Sequence, residues 1–124
     1  MTNNIIRDPN NGYTHRTVEI KPNSRILFVS GQTATDENGN TPEGIEKQAE
    51  VVYEKIIKSL KNADMSIEDL VKTNVYLVNP EDIGAVYNAS KKYNPQGKQA
   101  GTLVYVKGLA RPEVLIEIEA VAAK

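Results

Sequence analysis

The sequence predicts an α+β fold: a single domain over residues 1–124, with elements in the order β-β-α-β-α-β-β and two helices on one face of a mixed sheet. Three observations lead there. Residues 42–62 carry apolar side chains three and four apart, the period of a half-buried helix. Short runs bounded by Pro, Asn, Asp and Gly, several of them rich in β-branched residues, lie on both sides of that segment. A second proline-started segment, from Asn79, has room for only a shorter helix.

In chain order, "THRTVEI" (14–20) alternates as a strand does, and "KPNS" turns the chain into "RILFVSG". These two strands are expected to form a β-hairpin with a longer loop. "TDENGNTPEG" (35–44) is a loop that ends with Thr41 as N-cap and Pro42 in the first helical position, where its missing N–H costs nothing. In the helix that follows, Ile45, Ala49, Val52, Ile56 and Leu60 make one buried stripe, with Glu46, Lys47, Glu50, Glu54 and Lys58 outside it. "MSIEDLVKTNVYLVN" turns over Ser66–Asp69 and becomes a strand near Leu70, where Val71, Thr73 and Val75 gather. Asn79 and Pro80 repeat the cap-then-proline signal, for a helix that turns Ile83, Val86 and Tyr87 inward and stops near Pro95 and Gly97. "GTLVYVKG" and "EVLIEIEAV" close the chain as strands.

Two helices cover one sheet face, yet Ile26 and Phe28 alternate with Leu27 and Val29, and Leu103 and Tyr105 with Val104 and Val106. A second apolar face of that extent exceeds what a soluble monomer usually exposes, so the pattern predicts a homo-oligomer packed sheet against sheet. Glu117 and Glu119 alternate with Ile116, Ile118 and Ala120, which puts carboxylates on the interface face and implies a polar cleft within it.

Composition narrows the function. Against 16 Asp plus Glu stand 15 Lys plus Arg, a formal net charge of −1, with no basic run, which argues against nucleic acid or an anionic membrane as partner. The absence of cysteine excludes disulfides, thiolate metal sites and a Cys nucleophile. The first residues lack a signal peptide's apolar core, and no segment approaches the length of a spanning helix, so the expected location is cytoplasmic. "DENGN" presents oxygen ligands at odd spacings but lacks the sixth-position Gly and distal Glu of a calcium loop, so it reads as a plain loop with no metal. His15, the sole histidine, reads as structural or solvated rather than as a proton carrier.

In the order of elements, in "FVSGQ", in Gln48 on the first helix, in "DLVKTNVYLVNPED" and in the terminal "IEIEAVA", the chain from Gly12 to Ala123 resembles the RidA/YjgF family of small trimeric proteins, formerly called the L-PSP endoribonuclease family. The resemblance implies a chorismate-mutase-like fold, a homotrimer whose sheets form a central barrel, and clefts between subunits for a small carboxylate or imine metabolite. It also implies hydrolysis of 2-imino and enamine acids to 2-keto acids and ammonia, with no cofactor and no metal.

Carried over residue by residue, the resemblance lines the cleft with Tyr13, with the backbone of Ser30, Gly31 and Gln32, and with Tyr87, Ala100, Gly101 and Thr102. Glu117 falls on the position that holds or activates the attacking water, a task for a general base. Gly31, without a Cβ, suits close approach of a ligand to the backbone. The deaminase members carry an Arg in a Pro-Ala-Arg-Ser type motif, whose guanidinium pairs bidentately with the substrate carboxylate. With "VYV" as anchor, "KQAGTLVYV" puts Ala100 on the Ala, Gly101 on the Arg and Thr102 on the Ser. Losing such a charge-assisted bond forfeits about 1.5–3 kcal/mol. The sequence therefore reads as a divergent member: an imine deaminase-like hydrolase with an altered anchor or, alternatively, a non-catalytic binding, sensor or protective trimer. Lys98 and Lys107 are candidate replacement cations that read more readily as solvated surface lysines, since a flexible ammonium does not reproduce the guanidinium fork. Tyr87 in place of a common Asn, Ser90 in place of an aromatic, and a connection "GLARPEV" one residue longer than usual indicate a remodelled pocket. A ribonuclease reading lacks both a basic surface and a His pair.

Overall fold

A computed structural model describes residues 5–8 and 14–124. Its long helix follows directly from the apolar stripe. In α1 (Ile45–Asn62), Ile45, Ala49, Val52, Ile56 and Leu60 are all buried, joined by Gln48 and Tyr53. The helix starts three residues later than its proline suggests. Gly44 is the N-cap with φ 87°, and the Thr41 hydroxyl, expected to cap, pairs with Thr35 Oγ1 at 2.7 Å instead.

The main sheet has the order β3-β6-β4-β5, from β3 (Ile26–Gln32), β4 (Leu70–Leu77), β5 (Ala100–Tyr105) and β6 (Ile116–Ala123). β6 is antiparallel to both β3 and β4, while β5 is parallel to β4. A parallel neighbour needs a crossover, and α2 (Ile83–Tyr93) supplies it. The turns that sequence places before β4 and α2 are single 3₁₀ turns, Ile67–Asp69 and Pro80–Asp82. The first carries a reciprocal capping box between Ser66 and Asp69. Tyr53 of α1 stacks on Tyr93 of α2, with centroids 5.7 Å apart, tying the helices together.

The hairpin expectation fails. β2 (Thr17–Ile20) pairs with β1 (Ile5–Asp8), a strand the sequence pattern did not suggest, in a separate two-stranded sheet. The turn is present, with Asn23 at φ 67° and Ser24 Oγ bonded to Lys21 O. Beyond it the chain leaves for β6, because Val29 gains burial only beside Ala120 and under α1.

Both faces of the sheet are apolar in part, as the alternation predicts. Leu27, Val29, Val75, Leu103, Ile116 and Ile118 turn toward the helices. On the other side Phe28 is 77% exposed and Ile26 53%, with Val104 also exposed, whereas the exposed Tyr105 shares the face of Leu103 at the sheet edge. In β6 the buried Ile116, Ile118 and Ala120 alternate with half-buried Glu117 and Glu119.

Candidate functional site

Two sets of candidate residues occupy two places. The first lies at the end of β3. Val29 pairs with Ala120 and Gln32 with Ile118, so Ser30 and Gly31 together oppose Glu119 alone: a β-bulge. Gln32 Nε2 closes it by donating to Ser30 O at 3.0 Å. A Cβ built on Gly31 would fall onto the Glu117 carboxylate and 2.9 Å from its Cδ. The missing side chain is what lets that carboxylate lie against the strand backbone. Lys55 of α1 fastens the chain just beyond, donating to Thr33 O at 2.7 Å and Thr35 O at 2.5 Å. Beside Glu117, the Tyr76 hydroxyl donates to Glu119 Oε1 at 2.5 Å. That bond, then desolvation and the charges of Glu119 and Glu117, pushes the Tyr76 hydroxyl above its usual pKa.

The second place is a cavity of about 260 Å³ between the helices and the β4-β5 edge. Thr73 and Val75 of β4 with Gly101 and Leu103 of β5 form one wall. Tyr53, Val86, Tyr87 and Ser90 form the opposite one, and Thr14, Gln99 and Thr102 complete it. Gln99 is buried and accepts from Asn94 Nδ2 at 2.9 Å, while its own amide nitrogen donates to Thr73 Oγ1 at 3.5 Å. Burial raises the Tyr53 pKa, partly offset by its hydrogen bond with Ser90. Gly101 stands close to its surroundings: an added Cβ would lie 3.1 Å from both Thr14 Cγ2 and Thr73 Oγ1.

The structure thus joins Gly31 to Glu117, and Tyr87 to Gly101 and Thr102, and keeps the two sets apart. Tyr13 lies outside the described residues. Ala100 is half-buried opposite Lys72 and does not line the cavity, nor do Lys98 and Lys107. Lys72 reaches a lining residue, its Nζ donating to Thr102 Oγ1 at 3.2 Å. His15 does not line the cavity either: its N–H bonds Gln99 O, and its ring Nδ1 is buried without a hydrogen-bond partner. In "DENGN", Asp36 Oδ1 is occupied by the backbone N–H groups of Asn38 and Asn40, as a loop requires. No group of metal-ligating side chains occurs among the described residues. Sequence reasoning missed Gln99, Thr73, Thr14 and Tyr53 as cavity residues. Their only signal was polarity at positions the topology buries.

This mixed four-stranded sheet with two helices is shared with known proteins. The profile of the Endoribonuclease L-PSP family matches residues 4–124, and the chain belongs to that family, which includes the RidA, YjgF and RutC proteins. A RutC family protein of Pyrococcus abyssi is 37% identical over 101 residues, covering 80% of this chain and 79% of that protein. A mouse 2-iminobutanoate/2-iminopropanoate deaminase is 29% identical over 102 residues, covering 81% and 75%. Among solved structures, a Rid-family protein of Yersinia pestis superposes with TM-score 0.83 at 28% identity, covering 98% of this chain and 99% of that one. The fission-yeast relative mmf2, 32% identical over 101 residues (80% of each chain), is mitochondrial, so the family does not fix a compartment and the cytoplasmic expectation stays open. No helix among the described residues is long and apolar enough to cross a membrane.

Proposed function

We propose that the protein is a RidA-type homotrimer that binds a small metabolite in clefts between its subunits, with imine hydrolysis reduced by Gly101. Supporting the assembly, Phe28, Ile26, Val104 and Tyr105 are exposed, and covering such apolar groups is a main driving force for association. Light scattering should give three times the 13.7 kDa chain mass; a value near 13.7 kDa at micromolar concentration would refute it.

The observation that carries the chemical reading is the Glu117 carboxylate held over Gly31 on the exposed sheet face. A carboxylate lying against a glycine-lined backbone suits a general base that delivers water to an imine carbon. Water adds there, the amine nitrogen takes a proton, and collapse of the carbinolamine expels ammonia to leave the keto acid. What the site lacks is a guanidinium at Gly101, which supports the alternative of binding without turnover. A coupled assay decides between them: a threonine dehydratase generates 2-iminobutanoate, and its loss is timed with and without this protein. Little or no acceleration is expected. Turnover comparable to an Arg-bearing relative would sink the reduced-activity reading. Gly101→Arg is a harder rescue than sequence alone suggests, because its Cβ must displace Thr14 or Thr73 by a few tenths of an ångström.

A further inference from the structure

The 260 Å³ cavity is lined by threonines, a serine, a glutamine, tyrosines, aliphatic groups and Gly101, and by no Asp, Glu, Lys, Arg or His among the described residues. We propose that it is a binding site for an uncharged, carbonyl-bearing molecule with a compact apolar body, such as an amide or lactam, rather than for a free carboxylate. This rests on the small-molecule reading above and names the ligand class that the single chain accommodates.

Size comes first. An engineered protein cavity of ~150 Å³ admits benzene. The present one is larger, so it holds a ring or short branched chain with one polar head. Val75, Val86 and Leu103 offer the body an apolar wall, and Gly101, without a Cβ, lets Thr14 and Thr73 pack close against β5 at the cavity's edge.

Polarity then selects the head. Gln99, 5% exposed, spends its carbonyl on Asn94 and one amide N–H on a long 3.5 Å bond to Thr73 Oγ1. A primary amide has two such hydrogens, so one N–H remains beside the cavity, next to the Thr73 hydroxyl. Both suit a carbonyl oxygen, and the hydroxyl suits an amide N–H in return. A carboxylate entering the same space would lose part of its hydration and meet no cation among the described lining residues. Lys72 does not change this, because it alternates with Thr73 along β4 and reaches Thr102 from the opposite face of the sheet. Buried ions without a partner are disfavoured far more than buried amides with hydrogen bonds.

The test is a pair of isosteric probes, benzamide and benzoate, titrated into the full ¹⁵N-labelled chain at neutral pH. Benzamide should shift the resonances of Thr73, Gly101 and the Gln99 side-chain amide and bind at least about tenfold more tightly than benzoate, a difference of ~1.4 kcal/mol. Gly101→Ala, which adds a carbon among Thr14 and Thr73, should weaken benzamide; Lys72→Met should leave it unchanged. Equal or tighter benzoate binding, or loss of benzamide binding in Lys72→Met, would overturn the proposal. So would a benzamide titration that leaves the cavity resonances still while the spectrum of Gly101→Ala stays folded. The imine assay and the oligomer mass are independent of these probes, so the two readings fail separately.

Discussion

Gly31→Ala isolates the contact on which the chemical reading depends. The added Cβ would lie 2.9 Å from Glu117 Cδ and 3.1 Å from Cγ, with the carboxylate oxygen closer still. Backbone strain is not at issue, since the positive-φ glycines are Gly39, Gly44 and Gly97. The clash is with the far end of a flexible side chain, so Glu117 turns away at a cost of about 0.5–1.5 kcal/mol for an off-rotamer arrangement or a lost contact. Against that, replacing Gly by Ala at a tolerant φ stabilises by about 0.4–1 kcal/mol through the unfolded chain. The single variant should therefore lie within about 1 kcal/mol of the parent. In a Glu117→Ala background the clash is gone and the same substitution should stabilise. A double-mutant cycle on urea midpoints, all four proteins at one concentration, should return a coupling of about 0.5–1.5 kcal/mol. Additive effects would show that Glu117 does not rest on Gly31, and the general-base reading would lose its geometric support.

Other outcomes follow from other contacts. Gln48, 1% exposed, donates to Pro42 O and Glu113 O at 3.0 Å each and accepts from Leu115 N at 2.9 Å; Gln48→Leu should cost about 3 kcal/mol or more in urea unfolding, and an unchanged midpoint would refute the clamp. Burial raises the folded pKa of Tyr53, so the stability it contributes is full below its unfolded value of ~10 and is lost as pH rises through the folded one. Thermal melts of Tyr53→Phe should consequently decline less than the parent's between about pH 9 and about pH 11, and parallel declines would contradict this. Phe28→Asp, at the most exposed of the large apolar side chains, should reduce the proposed trimer to a 13.7 kDa species without loss of helical circular dichroism; an unchanged oligomer would mean this face lies outside the interface.

The helices were the most legible elements because their evidence is local. The stripe from Ile45 to Leu60 is periodic in itself, and Asn79–Pro80 marks a turn whatever surrounds it. Pairings were less legible, because they are decided by burial at a distance. The hairpin reading of residues 14–32 weighed a good turn against nothing, whereas the fold weighs it against β6, far along the chain, and the pairing runs on past both strands where Arg25 and Lys124 exchange backbone hydrogen bonds. Thr41 shows the same rule on a small scale: a sound cap residue was claimed by Thr35. In the site, Gly31 and Glu117 were each legible as candidates, but the bulge that puts one over the other needs the β3-β6 register. Gln99 and Thr73 had no legible role, since a polar residue that topology buries looks like any other polar residue.

The sheet order also limits what one chain can do. β3, with Gly31, and β5, with Gly101, are its opposite edges, three strand spacings apart. At ~4.8 Å per spacing the separation is about 14 Å across the sheet. Glu117 faces away from the helices, whereas the Gly101 cavity lies beneath them. A metabolite small enough for 260 Å³ cannot touch both within one subunit. If base and pocket act on the same molecule, an edge of one subunit must approach the open face of another, and the exposed residues of β5 (Gly101, Thr102, Val104 and Tyr105) are available for that approach. Because Gly101 lines the pocket on β5 and Glu117 lies against Gly31 between β6 and β3, a substitution at Gly101 should change the pocket without disturbing how Glu117 lies.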